Sequence, residues 1–206
     1  MAYRFKIDEP IGSGVRRVAC EQAARAGREL EAASGAAVHE SRKAIKRLRA
    51  LLRLIRPEIG EKAFKARNAA MREIAAALSG PRDQGILLET VAKLEARYGA
   101  ETAGILAPVR DLIGADAAGS QASIGRAAIE QVRGLLAREE KRFETLEIAG
   151  DGFTVLADGL EQSYRRGRKA LAKARENPSD QAYHDLRKAV QWHWRQMAVL
   201  SRAWPS

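Results

Sequence analysis

Apolar residues recur every three or four positions along nearly the whole chain, and the residues that break helices fall where such runs should stop. This spacing predicts a first helix opened by Ser13 and running to about Ala33, ahead of Ser34-Gly35. A second is expected from about Ala37 to Ile55, ending at Arg56-Pro57 because a residue before proline is pushed out of the helical region. Val38, Ile45, Leu48, Leu52 and Ile55 form its apolar stripe. A third follows from Glu61 to Leu78, stopped by Ser79-Gly80-Pro81. Pro81 suits the first position of a fourth helix, where its missing N–H costs nothing, and that helix ends near Tyr98-Gly99. A fifth, Glu101 to Ile113, is expected to be interrupted at Pro108, with a loop at Gly114 to Gly119. Two long helices then span Ser120 to Ile148 and Phe153 to Glu176. The last is expected to start with Asn177 as cap, Pro178 at the first position and Asp180 in the first turn. No segment alternates with period two, so the expected fold is all-α, of antiparallel helices.

Composition agrees: 206 residues, 46% hydrophobic, 30% charged and only 5% aromatic, a helical globular balance with enough chain for a core. Cys20 is the one cysteine, which excludes an internal disulfide or a cysteine cage and suits a reducing compartment. Met1 to Pro10 carries Arg4, Lys6, Asp8 and Glu9 instead of a secretory apolar stretch, and no uncharged apolar run reaches membrane-spanning length. A cytoplasmic protein that does not use the membrane is the expectation. Lysine and arginine number 36 against 26 acids, a net charge of +10. Such a charge points to an acidic partner, although it also serves plain solubility, so its distribution has to decide.

The distribution is uneven. His39-Glu40-Ser41-Arg42-Lys43-Ala44-Ile45 and His184-Asp185-Leu186-Arg187-Lys188-Ala189-Val190 match at six of seven positions, identical or chemically alike. Each copy opens a long helix after a breaking pair, which reads as a duplication into two similar helical halves, about 1–114 and 115–206. On a helix, His39, Arg42, Lys46, Arg49 and Arg53 fall within an arc of roughly 80°, opposite the apolar stripe. The arc contains no acid. Like charges four residues apart repel by a few tenths of a kcal/mol each, so such a row is destabilising until an anion neutralises it. Solvated faces normally interleave the two signs. The second copy offers His184, Arg187, Lys188, Gln191, Arg195 and Arg202, and the helix before it adds Arg165, Arg168, Lys169 and Arg175. Arg16, Arg17, Arg82, Lys93 and Arg97 are further candidates whose facing periodicity does not settle. Arginine suits phosphate because its planar fork donates two parallel hydrogen bonds and stays charged.

These residues resemble the CHAD family, the "conserved histidine α-helical domain". The resemblance is carried by His39-x-x-Arg42-x-x-x-Lys46-Arg47-x-Arg49 and its second copy at His184-x-x-Arg187. Gly80-x-Arg82-Asp83 and Tyr164-Arg165-Arg166-Gly167-Arg168 are also similar, so the resemblance covers essentially the whole chain. It implies two helical subdomains about a pseudo-twofold axis and a central basic groove that binds inorganic polyphosphate, at polyphosphate granules in some members. The expected ligands are His39, Arg42, Lys43, Lys46, Arg49, Arg53, Arg82, Arg165, Arg168, Lys169, His184, Arg187, Lys188 and Arg195. Gln191, Trp192 and Trp194 depart from the basic residues that many relatives carry, so the first copy should dominate.

No enzyme is expected, and no cofactor or metal. The neighbouring acids of His39-Glu40 and His184-Asp185 point about 100° away and form no dyad. No H-E-x-x-H, Walker loop or G-x-S-x-G occurs, and the basic arc has no carboxylate to hold a divalent ion against phosphate. His193 is read as a core histidine beside Val190, Met197 and Leu200, and Trp192 and Trp194 as packing residues, with only Trp194 near the arc. Two alternatives stand beside polyphosphate binding. One is a nucleic-acid binder, which the charge alone supports but which lacks a reading motif. The other is a granule scaffold that recruits enzymes of polyphosphate metabolism.

Overall fold

The computed structural model describes residues 3–32, 34–78, 82–119 and 125–201, with side chains throughout except at 82–87, 100–103 and 115–119. The described residues are all-helical: α1 Ile11–Glu29, α2 Gly35–Leu54, α3 Arg56–Ala77, α4 Arg82–Tyr98, α5 Ala100–Gly119, α6 Arg126–Glu144, α7 Thr154–Glu176 and α8 Asp180–Leu200. Ser34 caps α2 by accepting the Ala37 N–H at 3.1 Å.

Several helix ends differ from expectation. The first helix starts at Ile11 behind Pro10, with Ser13 already inside it, and tightens into a 3₁₀ turn at Leu30–Ala32. Only Ile55 separates α2 from α3, because Pro57 fixes a helical φ at the start of α3. The break comes one turn later, at Gly60, whose φ of 77° favours glycine. Helix α5 continues through Pro108 and over Gly114–Gly119; its alanines favour helix strongly enough to carry the glycines. At the last helix the cap is Ser179, accepting the Ala182 N–H at 3.1 Å. Asn177 instead ends α7, held by the Lys173 carbonyl, so Pro178 lies between helices. Pro81, Ser120 and Arg202 lie outside the described residues.

Helices α1, α2, α3 and α6 pack around one core, with α1 against α2 and α6, and α3 against the same pair. Val18, Leu48, Leu52, Met71, Ile74, Val132 and Phe143 are buried there, and the stripe read on the second helix is buried in full. This core joins helices from either side of residue 114. Helices α7 and α8 pair with each other and lie across α2, while α4 and α5 form a separate pair. Three contacts fix the α7–α8 layer. Gly159 meets the end of α2 so closely that a Cβ there would stand 1.8 Å from the Leu54 carbonyl oxygen. On α8, the buried Gln196 donates from Nε2 to the Ala50 carbonyl at 3.3 Å, and the Phe5 N–H bonds the Val199 carbonyl at 2.9 Å.

Candidate functional site

The α2 arc meets α8 where the helices cross. Arg53 lies over the Trp192 ring at 4.0 Å, Arg49 at 5.3 Å and Arg195 at 5.9 Å. From the α3 side, the Asn68 amide oxygen accepts from Arg49 Nε at 3.1 Å and from Arg53 at 3.4 Å. Arg53 also donates to the Arg49 carbonyl at 3.0 Å. On the other flank of α2, Arg47 lies over the Tyr3 ring at 5.4 Å and donates to Gln22. These partners are aromatic faces and neutral oxygens, which orient a guanidinium without cancelling its charge.

The charge is therefore not cancelled by these contacts. Among the described residues, Arg47, Arg49, Arg53 and Arg195 have no carboxylate within ion-pair distance, and all are half-buried. Burial, together with Arg49, Arg166 and Arg56, pulls the Arg53 guanidinium down to about 10. Burial lowers Arg49 as well, with Arg72 adding to it. It lowers Arg195, where Tyr3 opposes the shift and Arg47 adds to it. Arg47 follows the same direction for the same first cause, with Arg25 adding to it and Tyr3 and Glu40 opposing it. Each shift records protonated groups held out of water beside their own kind.

A cavity of about 140 Å³ opens beside this cluster, between the end of α2, α7 and α8. Arg53, Arg56, Arg166 and Trp192 line it, over a floor that includes Gly159, Ala189 and Gln196. Arg56 is paired with Glu61 at 2.7 Å.

The remaining expected ligands are dispersed. Ala50 meets Gln196 and Arg53 meets Trp192, so contacts run in opposite order along α2 and α8. His39 and His184 each lie about three turns before that crossing, on opposite sides of it, and both are exposed. Arg42 donates to the Leu78 carbonyl at 2.8 Å, finishing α3, and Lys43 pairs with Glu40. Lys46 is exposed. Arg165 pairs with Glu161 and Lys188 with Asp185, while Arg168, Lys169 and Arg187 are exposed. Arg82 belongs to α4, and its side chain lies outside the described residues. Arg17 is bound by Glu9 and Glu21, Lys93 by Glu89, and Arg16 donates to the Leu146 carbonyl.

Two readings of α8 need correction. Trp192, and not only Trp194, stands among the arginines. His193 is only half-buried: it bonds Ser163 Oγ at 2.8 Å and packs on Tyr164, while Val190 and Met197 are exposed. Arg47, Arg56, Arg166 and Trp192 join the site although the arc does not single them out. A register signal exists for Arg166, since Gly159, Ser163 and Arg166 recur at i, i+4 and i+7 on the face of α7 that lines the cavity.

Fold and site together define an all-α protein in which, among the described residues, Arg47, Arg49, Arg53 and Arg195 gather at the α2–α8 crossing without an ion-paired carboxylate. A family model described as the CHAD domain matches residues 17–206, and the chain belongs to the CHAD family. No curated protein and no solved structure matches it.

Proposed function

We propose that this chain binds inorganic polyphosphate at the α2–α8 crossing without acting chemically on it. The observation that carries the reading is the set of half-buried arginines, Arg47, Arg49, Arg53 and Arg195, with lowered pKa values and no carboxylate partner among the described residues. A polyanion supplies the missing charge along a row, which a single small anion cannot do. Family membership supports the same ligand. Protonated arginine is neither a general base nor a nucleophile, so the cluster is suited to binding and not to cleavage. Arg168, Lys169, Arg187 and Lys188 extend positive charge outward along α7 and α8, and we assign them weaker, screened contacts. Among the described residues no helix is long and apolar enough to cross a membrane. A cytoplasmic location, at polyphosphate granules, belongs to this reading, as does a role in gathering polyphosphate enzymes there.

A second reading draws on Trp194, which is 65% exposed with Arg195 at 6.0 Å from its ring. A basic residue beside an open indole is the pairing that single-stranded nucleic acid uses for stacking. Competition between long-chain polyphosphate and single-stranded DNA at equal charge concentration tests the choice. Polyphosphate should displace the DNA; the reverse order would favour the nucleic-acid reading.

A further inference from the structure

Helices α4 and α5 pack on each other, and no other helix packs on either to a comparable extent. Val91 of α4 is buried in this pair, whereas the outer side of α5 is apolar and open: Ile105 is 70% exposed, Leu112 69% and Val109 42%. Positions 105, 109 and 112 recur at i, i+4 and i+7 and so form one stripe, with Pro108 exposed beside it. Single exposed apolar residues are ordinary on a protein surface, but a row of them along one helix is not. Gly104 and Pro108 belong to the two residue types least suited to a helix interior, so α5 depends on packing for its helical form, and α4 supplies that packing on one side.

The charges around the stripe narrow the choice of what covers it. The chain carries a net charge of +10, yet its residues 82–119 hold six acids against four basic residues. A polyphosphate chain or an anionic lipid surface finds no attraction there. The charges described on the hairpin are also largely satisfied within it: Arg110 pairs with Glu95 at 3.0 Å and lies 3.7 Å from Asp111, and Lys93 pairs with Glu89. A partner whose rim carried one sign would gain little from charges that are already paired. A face that is apolar at its centre and internally paired at its edges is complementary to another of the same kind.

We infer that the outer face of α5 is a homodimer interface, in which the Ile105–Val109–Leu112 stripe packs on the same stripe of a second copy. The two helices run antiparallel about a twofold axis near Pro108 and Val109, so that Ile105 of each copy meets Leu112 of the other and the two Val109 side chains flank the axis. The three side chains offer roughly 350 Å² of exposed surface per copy, which at the apolar share usual for interfaces corresponds to about 1,100 Å² buried by the pair. That area reaches the lower edge of specific assemblies and falls short of permanent ones, so the dimer is reversible. The interface uses none of the arginines at the α2–α8 crossing and stands apart from the polyphosphate reading.

The test is sedimentation equilibrium of the whole chain, freed of bound polyphosphate by an exopolyphosphatase, up to about 300 µM. A reversible monomer–dimer equilibrium is expected, with a Kd on the order of 10–100 µM for so small an interface. Ile105→Glu with Leu112→Glu should raise that Kd about tenfold or more by facing like charges across the axis, while circular dichroism stays unchanged because both side chains are exposed in the single chain. The contact is apolar, so about 0.5 M salt should leave the dimer in place. A second pair of variants checks the geometry. In a Cys20→Ser background, Ile105→Cys chains mixed with Leu112→Cys chains should form the mixed disulfide in preference to either self-linked product, since like positions lie about 10 Å apart along the helices. A chain that stays monomeric at the highest concentration would overturn the inference, as would a dimer that the two glutamates leave intact or that salt dissolves. A monomer that floats with phosphatidylcholine vesicles through the same residues would overturn it in favour of a lipid surface.

Discussion

The α1–α6 side and the α2–α8 crossing use the same residue type in opposite ways. On the first, Arg25 pairs with Glu29 and Glu40, and Arg133 with Glu31 and Glu130. In the α1 neighbourhood Glu9 also holds Arg17 in a close ion pair. At the crossing, Arg49, Arg53 and Arg195 surround an indole, and Arg49 and Arg53 share the Asn68 amide oxygen. Paired surface charges are nearly neutral to stability and leave no charge over for a ligand. Half-buried, unpaired ones hold the folded state at a disadvantage that an anion relieves. Net charge alone does not distinguish the two, whereas the placement of carboxylates does.

The largest effect should come from emptying the crossing. Arg49→Gln with Arg53→Gln should weaken long-chain polyphosphate by about 3 kcal/mol or more, roughly a hundredfold, since each charge-assisted contact contributes about 1.5 to 3 kcal/mol. Arg25→Gln with Arg133→Gln removes the same formal charge and should change affinity severalfold at most. Isothermal titration of both double variants gives the comparison, and equal losses would mean that net charge is what binds.

Polyphosphate should also raise the thermal midpoint. At a hundredfold excess over Kd, linkage gives about 2.7 kcal/mol, which for a chain of this size is about 5 °C or more. Orthophosphate at equal phosphorus should do far less, and the shift should shrink steeply with salt as condensed counterions lose their release entropy. Matching shifts from the two anions would indicate general screening.

Replacing Trp192 by leucine should cost about 1 kcal/mol of binding, because the ring holds Arg49, Arg53 and Arg195 in one place. Trp194→Leu should cost less, as Arg195 lies 6.0 Å from that ring.

The smallest effects lie in the pH dependence of the ligand-free protein, where stability rises with pH in both regions, across the carboxylate range in one and the guanidinium range in the other. Arg17 hydrogen bonding holds the Glu9 carboxyl below its ordinary range. That pair stabilises the fold above the carboxylate range and is lost as pH falls through the depressed value, so Glu9→Gln should flatten the acid limb. Arg53 has its folded pKa near 10, below the ordinary guanidinium range, so the unfolded chain holds that proton more tightly. Stability should then rise with pH across that window, and less so in Arg53→Gln. Thermal melts across both limbs check that stability rises with pH in each.

Periodicity showed the all-α fold and the buried stripe of α2, because each helix buries a face against neighbours that share the core. It misread Gly114–Gly119 and the α8 cap, where alanine propensity and the reach of Ser179 outweighed the breaking residues. Arg49, Arg53 and Arg195 were legible as a basic arc, since an arc is a property of one helix. Trp192, Arg56 and Arg166 were not, because they join the site through the crossing of α7 and α8 with α2. The same crossing separates His39 from His184, which looked equivalent in the repeated motif.

Arginine side-chain Nε–Hε resonances observe directly which arginines meet the polyanion. On titration with long-chain polyphosphate, the signals of Arg49, Arg53 and Arg195 should shift and saturate together, while those of Arg17, Arg25 and Arg133 stay in place. Shifts spread evenly over both sets, or confined to the second, would contradict polyphosphate binding at the α2–α8 crossing.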